Sequence, residues 1–137
     1  YGDIFSDVDL RAVIDQHVAD RPHATLPMLE HKNPYGVASS LDGKRIERFE
    51  EKPTTYENTG LAVVSKEMAQ YIPDSGDFFG SAVQPMINRG FHIYIYPHRG
   101  YWWDVRSMDV VKEIEAEIAE GRINLESELS SSSAEVK

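Results

Sequence analysis

Apolar residues in this chain recur at two periods, and the switches between them mark its elements. Leu10, Val13, Ile14, His17 and Val18 fall at helical spacing, which predicts a helix that buries one stripe and stops before Pro22. Ser6 or Asp7 is placed to cap it, with Asp9 positioned for a capping box with Ser6. His17 sits on the apolar face, where a packed or hydrogen-bonded ring is expected before a ligand. Residues 24–29 read as a short strand, and Pro27, which has no donor, points to an edge or a bulge. Residues 35–40 and 45–50 flank Leu41-Asp42-Gly43-Lys44, an Asp-Gly hairpin signal, with a bulge expected near Arg48. Residues 53–57 read as a loop, and residues 59–65 as a buried central strand, apolar on both faces.

The second half continues the alternation. Ser65 is placed to cap a short helix over 66–71, and residues 73–76 form a loop. A helix over 78–88 directs Phe79, Val83, Met86 and Ile87 inward, kinks or breaks at Pro85 and closes at Gly90. A strand over 91–96 places Phe91, Ile93 and Ile95 on one face and His92, Tyr94 and Tyr96 on the other. A turn over 97–100 leads into residues 101–105. Ser107 then caps a helix with the stripe Val110, Val111, Ile114 and Ile118, ending at Gly121. The interleaving predicts an α/β fold with a mixed, mostly parallel sheet, flanking helices and an inserted β-hairpin. Residues 1–125 read as one portion of a domain and 126–137, Ser-rich and acidic, as a disordered tail. Tyr1-Gly2-Asp3 reads as the end of a strand whose beginning is missing.

Composition narrows the function classes. With 41% apolar and 27% charged residues the chain has the make-up of a soluble globular protein, and it has no apolar run of membrane-spanning length. The absence of cysteine excludes disulfides and thiolate metal sites and fits a cytoplasmic protein. A net charge of −9 disfavours nonspecific nucleic-acid binding, yet a local Lys or a metal can reverse the field in a cleft. The five histidines show no zinc-ligand spacing, and no Ser sits in a nucleophile elbow.

Five short stretches carry possible chemistry. Gly2-Asp3, read as a strand end, would put a carboxylate at the rim of an α/β sheet; a capping or turn Asp is the competing reading. Asp104 follows two Trp residues, so it is partly desolvated and calls for a cation or a local partner such as Arg106. Two carboxylates without His or Cys suit Mg²⁺, which takes one or two protein carboxylates and completes its shell with phosphates and water. Glu51-Lys52 pairs an acceptor for hydroxyls with a point charge for phosphate, though such a pair is also an ordinary solvated one. Tyr35-Gly36 and Thr59-Gly60 place glycine within β segments, where a ligand or a neighbouring backbone approaches closely.

In order and spacing, Tyr1-Gly2-Asp3, Tyr35-Gly36-Val37, the 41–46 hairpin, Phe49-Glu50-Glu51-Lys52-Pro53, Asn58-Thr59-Gly60 and Gly100-Tyr101-Trp102-Trp103-Asp104 resemble the second half of a sugar-1-phosphate nucleotidyltransferase domain. The resemblance runs from Tyr1 to about Glu120. It implies part of a Rossmann-like domain that transfers a nucleoside monophosphate from a triphosphate to a sugar-1-phosphate and releases pyrophosphate. It implies that Asp3 and Asp104 bind Mg²⁺, with Asp104 and Lys52 as the catalytic residues. Gly36 would meet the sugar through its backbone, Glu51 would hold sugar hydroxyls and Lys52 the sugar phosphate. Asn58, Thr59 and Gly60 would line the sugar pocket, with Trp102 as a wall.

The family's Gly-rich triphosphate loop has no counterpart in these residues, and Arg106 departs from the family's usual Asp-x-Gly-Thr. The chain is therefore expected to carry the sugar-phosphate and metal half-site, to be inactive alone, and to act with an N-terminal half or as a homo-oligomer. The alternative is a non-catalytic sugar-phosphate-binding or scaffold module derived from that family.

Overall fold

The computed structural model describes residues 2–72, 74 and 77–125. The expected tail at 126–137, most of the expected loop at 73–76 and Tyr1 lie outside the described residues. The described residues form two compact units, one within 6–102 and one made of 2–5 with 103–125.

The first unit is built on β2 (Ala24–Lys32). It pairs in parallel with β7 (Ile93–His98) and antiparallel with β5 (Thr54–Asn58) and β6 (Val63–Val64). Because β7 runs along residues 24–29 of one edge, β6 at Ala24–Thr25 and β5 at Met28–Lys32 must share the other. β2 is thus central, not the edge strand expected from Pro27. In a strand the N–H and C=O of one residue point the same way, and the Pro27 carbonyl accepts from Thr59 Oγ1 at 2.6 Å. The missing donor therefore faces the gap between β6 and β5, where no ladder bond needs it.

The central strand expected over 59–65 is reduced to the two residues of β6, because Gly60, at φ 81°, turns the chain there. Conversely β5 occupies the segment read as a loop. The sheet is mixed as expected, but three of the four pairings of defined register are antiparallel. Antiparallel neighbours need only turns, whereas parallel ones need crossovers, and β2–β7 is the pair separated by helices.

Helix α1 (Leu10–Asp20) is capped by Asp9, whose Oδ1 accepts from Ala12 N at 2.9 Å, not by Ser6 or Asp7. Of its stripe Val13 is buried and His17 half-buried, while Leu10, Ile14 and Val18 are exposed. His17 Nδ1 lies 3.0 Å from Thr25 Oγ1, the hydrogen-bonded ring expected. The helix ends at Arg21 in the left-handed region, φ 52°, just before Pro22.

A short α2 (Lys66–Ala69) starts where Ser65 Oγ accepts from Met68 N. Downstream, a π turn over Phe79–Val83 passes into α3 (Gln84–Asn88), so Pro85 falls in the first turn of α3, where its missing N–H is harmless. Ala82 and Met86 face inward and join Ala24 and Met68 in the core, while Ile87, expected inside, is exposed. The strand expected at 91–96 begins later because Phe91 N is taken by Met86 O at the helix end.

Across the β2–β7 pair, Arg99 forks onto Glu30, with Nε to Oε1 2.9 Å and Nη2 to Oε2 3.0 Å. The Glu30 side chain is only 6% exposed, and the hydrogen bonds from Arg99 hold its carboxyl below the usual 4.5. A lowered carboxyl pKa contributes stability above the unfolded pKa and loses it as pH falls through the folded one. Arg99→Ala should therefore lower the urea midpoint at pH 7, and the difference from the parent should shrink at pH 3.5. A difference of equal size at both pH values would overturn the charge argument.

In the second unit, Val105 N donates to Asp3 O at 2.7 Å, and β1 (Ile4–Ser6) pairs with β8 (Trp102–Asp104), of which Ile4–Phe5 and Trp103–Asp104 belong to this unit. No strand ends at Asp3, contrary to expectation; β1 begins after it, and Asp3 stands at an exposed bend. Helix α4 (Met108–Ala119) is capped by Ser107, buries Ile114 and ends before Gly121, φ 72°. Arg122 pairs with Glu117 and Glu120 beyond its last turn. Among the described residues no helix is long and apolar enough to cross a membrane.

Candidate functional site

A hairpin presents the first group of residues. β3 (Val37–Ser39) pairs antiparallel with β4 (Arg48–Glu50), and the register runs from Ser39↔Arg48 to Val37↔Glu50. The tip is shaped by Asp42, whose Oδ1 accepts from Lys44 N and Arg45 N, both at 2.9 Å, with Gly43 at φ 73°. Glu47 N donates to Ser39 O, so Glu47 and Arg48 both face Ser39 at the position where a bulge is expected.

Extending that register one step sets Gly36 against Glu51. A methyl group built on Gly36 would collide with the Phe49 ring and lie 2.9 Å from Glu51 Oε2. Glycine thus lets a ring and a carboxylate, two residues of the stretch singled out in the sequence, lie close against the backbone here. Lys52 follows at φ 49°, a left-handed conformation uncommon for a lysine, and its side chain is exposed. Asn33 N donates to Pro53 O at 3.0 Å, which ties this corner to the end of β2.

The second group, Asn58, Thr59, Gly60 and Trp102, forms a knot of hydrogen bonds. Asn58 Oδ1 accepts from Gly60 N at 2.9 Å, and Trp102 Nε1 donates to Thr59 O at 2.9 Å. Thr59 is fully buried, with its hydroxyl donating to Pro27 O. The Thr59 side chain is therefore committed to the fold. It positions the exposed Asn58 and the half-buried Gly60.

The third group lies in the other unit. Arg106 pairs with Asp104 through Oδ2, with Nε at 2.5 Å, and these hydrogen bonds hold the Asp104 carboxyl below its usual value. The local pair weighed in the sequence thus forms, but on one oxygen only. Asp104 Oδ1 is buried without a hydrogen-bond partner, and such an atom calls for a cation or a donor. Asp3 is near enough to act electrostatically on Arg106. Among the described residues no group of three or more acidic or histidine side chains gathers. The unsatisfied buried oxygen of Asp104 is of the hard-oxygen type that could hold an ion such as Mg²⁺, which relies on ligand phosphates and water for much of its shell.

Asp7 takes a role not anticipated. Its carboxylate occupies the space a side chain at Gly100 would fill, and Oδ1 lies 3.2 Å from His98 Nε2, off line for a hydrogen bond. That nitrogen is 3.1 Å from Tyr101 O, and a carbonyl only accepts, so His98 carries its proton there. The contact joins residues about ninety positions apart, and no local sequence signal marks it.

The profile of the nucleotidyl transferase family matches residues 1–121. A Sulfolobus acidocaldarius protein assigned provisionally as a mannose-1-phosphate guanyltransferase is 29% identical over 111 residues, 77% of this chain and 30% of that protein. A glucose-1-phosphate adenylyltransferase of Desulforamulus reducens is 27% identical over 124 residues, 79% of this chain and 31% of that protein. The chain spans about a third of the length of these curated relatives. The crystal structure of HddC from Yersinia pseudotuberculosis superposes with a TM-score of 0.55 at 16% identity, over 82% of this chain and 50% of that one, a likeness of fold. With the family profile running through all three groups of residues, the chain belongs to the nucleotidyl transferase family.

Proposed function

We propose that this chain supplies the sugar-phosphate and metal-binding residues of a sugar-1-phosphate nucleotidyltransferase, whose nucleotide-binding segment lies outside these 137 residues. The observation that carries the reading is the contact of Gly36 with Glu51 and Phe49, followed at once by Lys52. Glu51 would accept from vicinal hydroxyls, the flat backbone at Gly36 would admit the sugar, and the Lys52 ammonium would neutralise the phosphate. Asn58 and Gly60 would line the sugar, with Thr59 and Trp102 holding them in place.

In the reaction, a phosphate oxygen of the sugar-1-phosphate attacks the α-phosphorus of the triphosphate. The bond to the bridging oxygen breaks, and pyrophosphate leaves with its electron pair. The protein's task is to align two polyanions and neutralise charge, with little covalent chemistry of its own. Asp3 and Asp104 would hold Mg²⁺, which supplies charge neutralisation at the phosphates. The hydrogen bonds from Arg106 lower the Asp104 carboxyl's pKa, which favours the charged form that role needs.

The test is titration with glucose-1-phosphate and mannose-1-phosphate, with and without Mg²⁺, followed by Trp fluorescence. A saturable response is expected, and Gly36→Ala should weaken it several-fold. The added methyl meets the far ends of two flexible, exposed side chains, so the cost falls on the placement of Glu51, with stability moving within about 0.5 kcal/mol. A folded chain that responds to neither sugar phosphate, with Mg²⁺ present, would favour a scaffold module in place of a binding one.

A further inference from the structure

A separate cavity of about 360 Å³ opens at the other end of β2, lined by His17, Val18, Arg21, Pro22, His23, Ser65, Lys66 and Glu67. Its polar lining is almost all donors. The Arg21 guanidinium and the Lys66 ammonium have no ion-pair partner among the described residues. His92 N donates to His23 Nδ1 at 2.9 Å, so that nitrogen is an acceptor and the ring's proton sits on Nε2. Ser65 Oγ accepts from Met68 N and keeps its own hydrogen to give. His17 uses Nδ1 on Thr25, which leaves Nε2 uncommitted. One carboxylate, Glu67, opposes them.

Two unpaired cations and neutral donors around one concavity are unusual on a chain of net charge −9. From this lining we infer that the cavity binds a phosphate group, as inorganic phosphate or as a small phosphomonoester. Arg21 offers a planar fork and Lys66 a point charge, the two complementary ways in which side chains hold phosphate. The site is distinct from the sugar-phosphate residues. Arg21–His23 precede β2 and Asn33–Gly36 follow it, and nine extended residues span roughly 30 Å. A ligand here would bridge the end of α1 and the start of α2.

The experiment is a ¹H–¹⁵N NMR titration of the full chain with inorganic phosphate and with glycerol 3-phosphate, at ionic strength held constant with chloride. Saturable shifts are expected at the amides of Arg21, His23 and Lys66. Arg21→Asn keeps a residue that tolerates positive φ while removing the charge, and it should weaken binding about tenfold. If that variant does not fold, Lys66→Met serves the same purpose, and Glu67→Gln should tighten binding in either case. Stronger binding of glycerol 3-phosphate would identify a phosphomonoester ligand, and equal binding would identify free phosphate. Shifts confined to residues 36 and 49–60 would assign phosphate to the sugar site alone and overturn the inference. So would a folded spectrum with no shift at these three amides, or equal shifts with chloride alone.

Discussion

Lys52→Asn is expected to weaken sugar-1-phosphate binding about ten- to hundredfold while leaving the urea midpoint unchanged or slightly raised. The two halves of this expectation have different causes. The loss follows from removing a cation that donates to a phosphate, a hydrogen bond to a charged group that contributes about 1.5–3 kcal/mol. The unchanged midpoint follows from the backbone. Lys52 sits at φ 49°, where asparagine is far more at home than lysine. The corner itself is held by Asn33 N on Pro53 O, which the substitution does not touch. A lysine kept in a conformation that disfavours it, on an exposed corner, is the pattern of local strain found at functional sites. Lys52→Gly is the companion variant: it relieves the backbone and removes the charge, so it should match Asn in affinity. If either variant loses stability in step with affinity, the lysine belongs to the fold and the phosphate role falls.

How much of this was legible in the sequence depends on the range of the interaction. Caps and stops within one turn were readable, as Ser65, Ser107, Gly90 and Gly121 show, because each acts on backbone groups a few residues away. The Asp-Gly hairpin was readable for the same reason. Pro27 misled because its effect depends on which way its carbonyl faces, and only Thr59, 32 residues on, reveals that. The segment 53–57 looked like a loop because Thr54–Asn58 is polar and exposed throughout, and only its pairing with β2 makes it a strand. In the candidate site, the residues of Phe49–Pro53 were evident from their types, but the contact of Gly36 with Phe49 and Glu51 needed the register of β3 on β4. The division of Asp104 into one paired and one buried, unpaired oxygen is a matter of side-chain geometry that no spacing encodes.

Thr59→Val should cost about 1–3 kcal/mol of stability, read as a lower urea midpoint at unchanged slope. Valine keeps the shape of the buried side chain, so packing is preserved and the change isolates the hydroxyl. What is lost is the donor to Pro27 O. That carbonyl lies in the gap between β6 and β5, where no backbone N–H takes the hydroxyl's place in the ladder, and Pro27 is itself buried. A buried acceptor left unpaired costs more than a hydrogen bond normally contributes, because water cannot replace the partner. Thr59→Ser, which keeps the donor, should recover most of the loss. The same substitution separates two roles for the residue. If Thr59 works by holding Asn58 and Gly60 in place, through its hydroxyl and its carbonyl on Trp102 Nε1, Thr59→Val lowers stability and affinity together. If the hydroxyl instead served the sugar directly, affinity would fall with the midpoint unmoved, and the assignment of Thr59 to the fold would have to be abandoned.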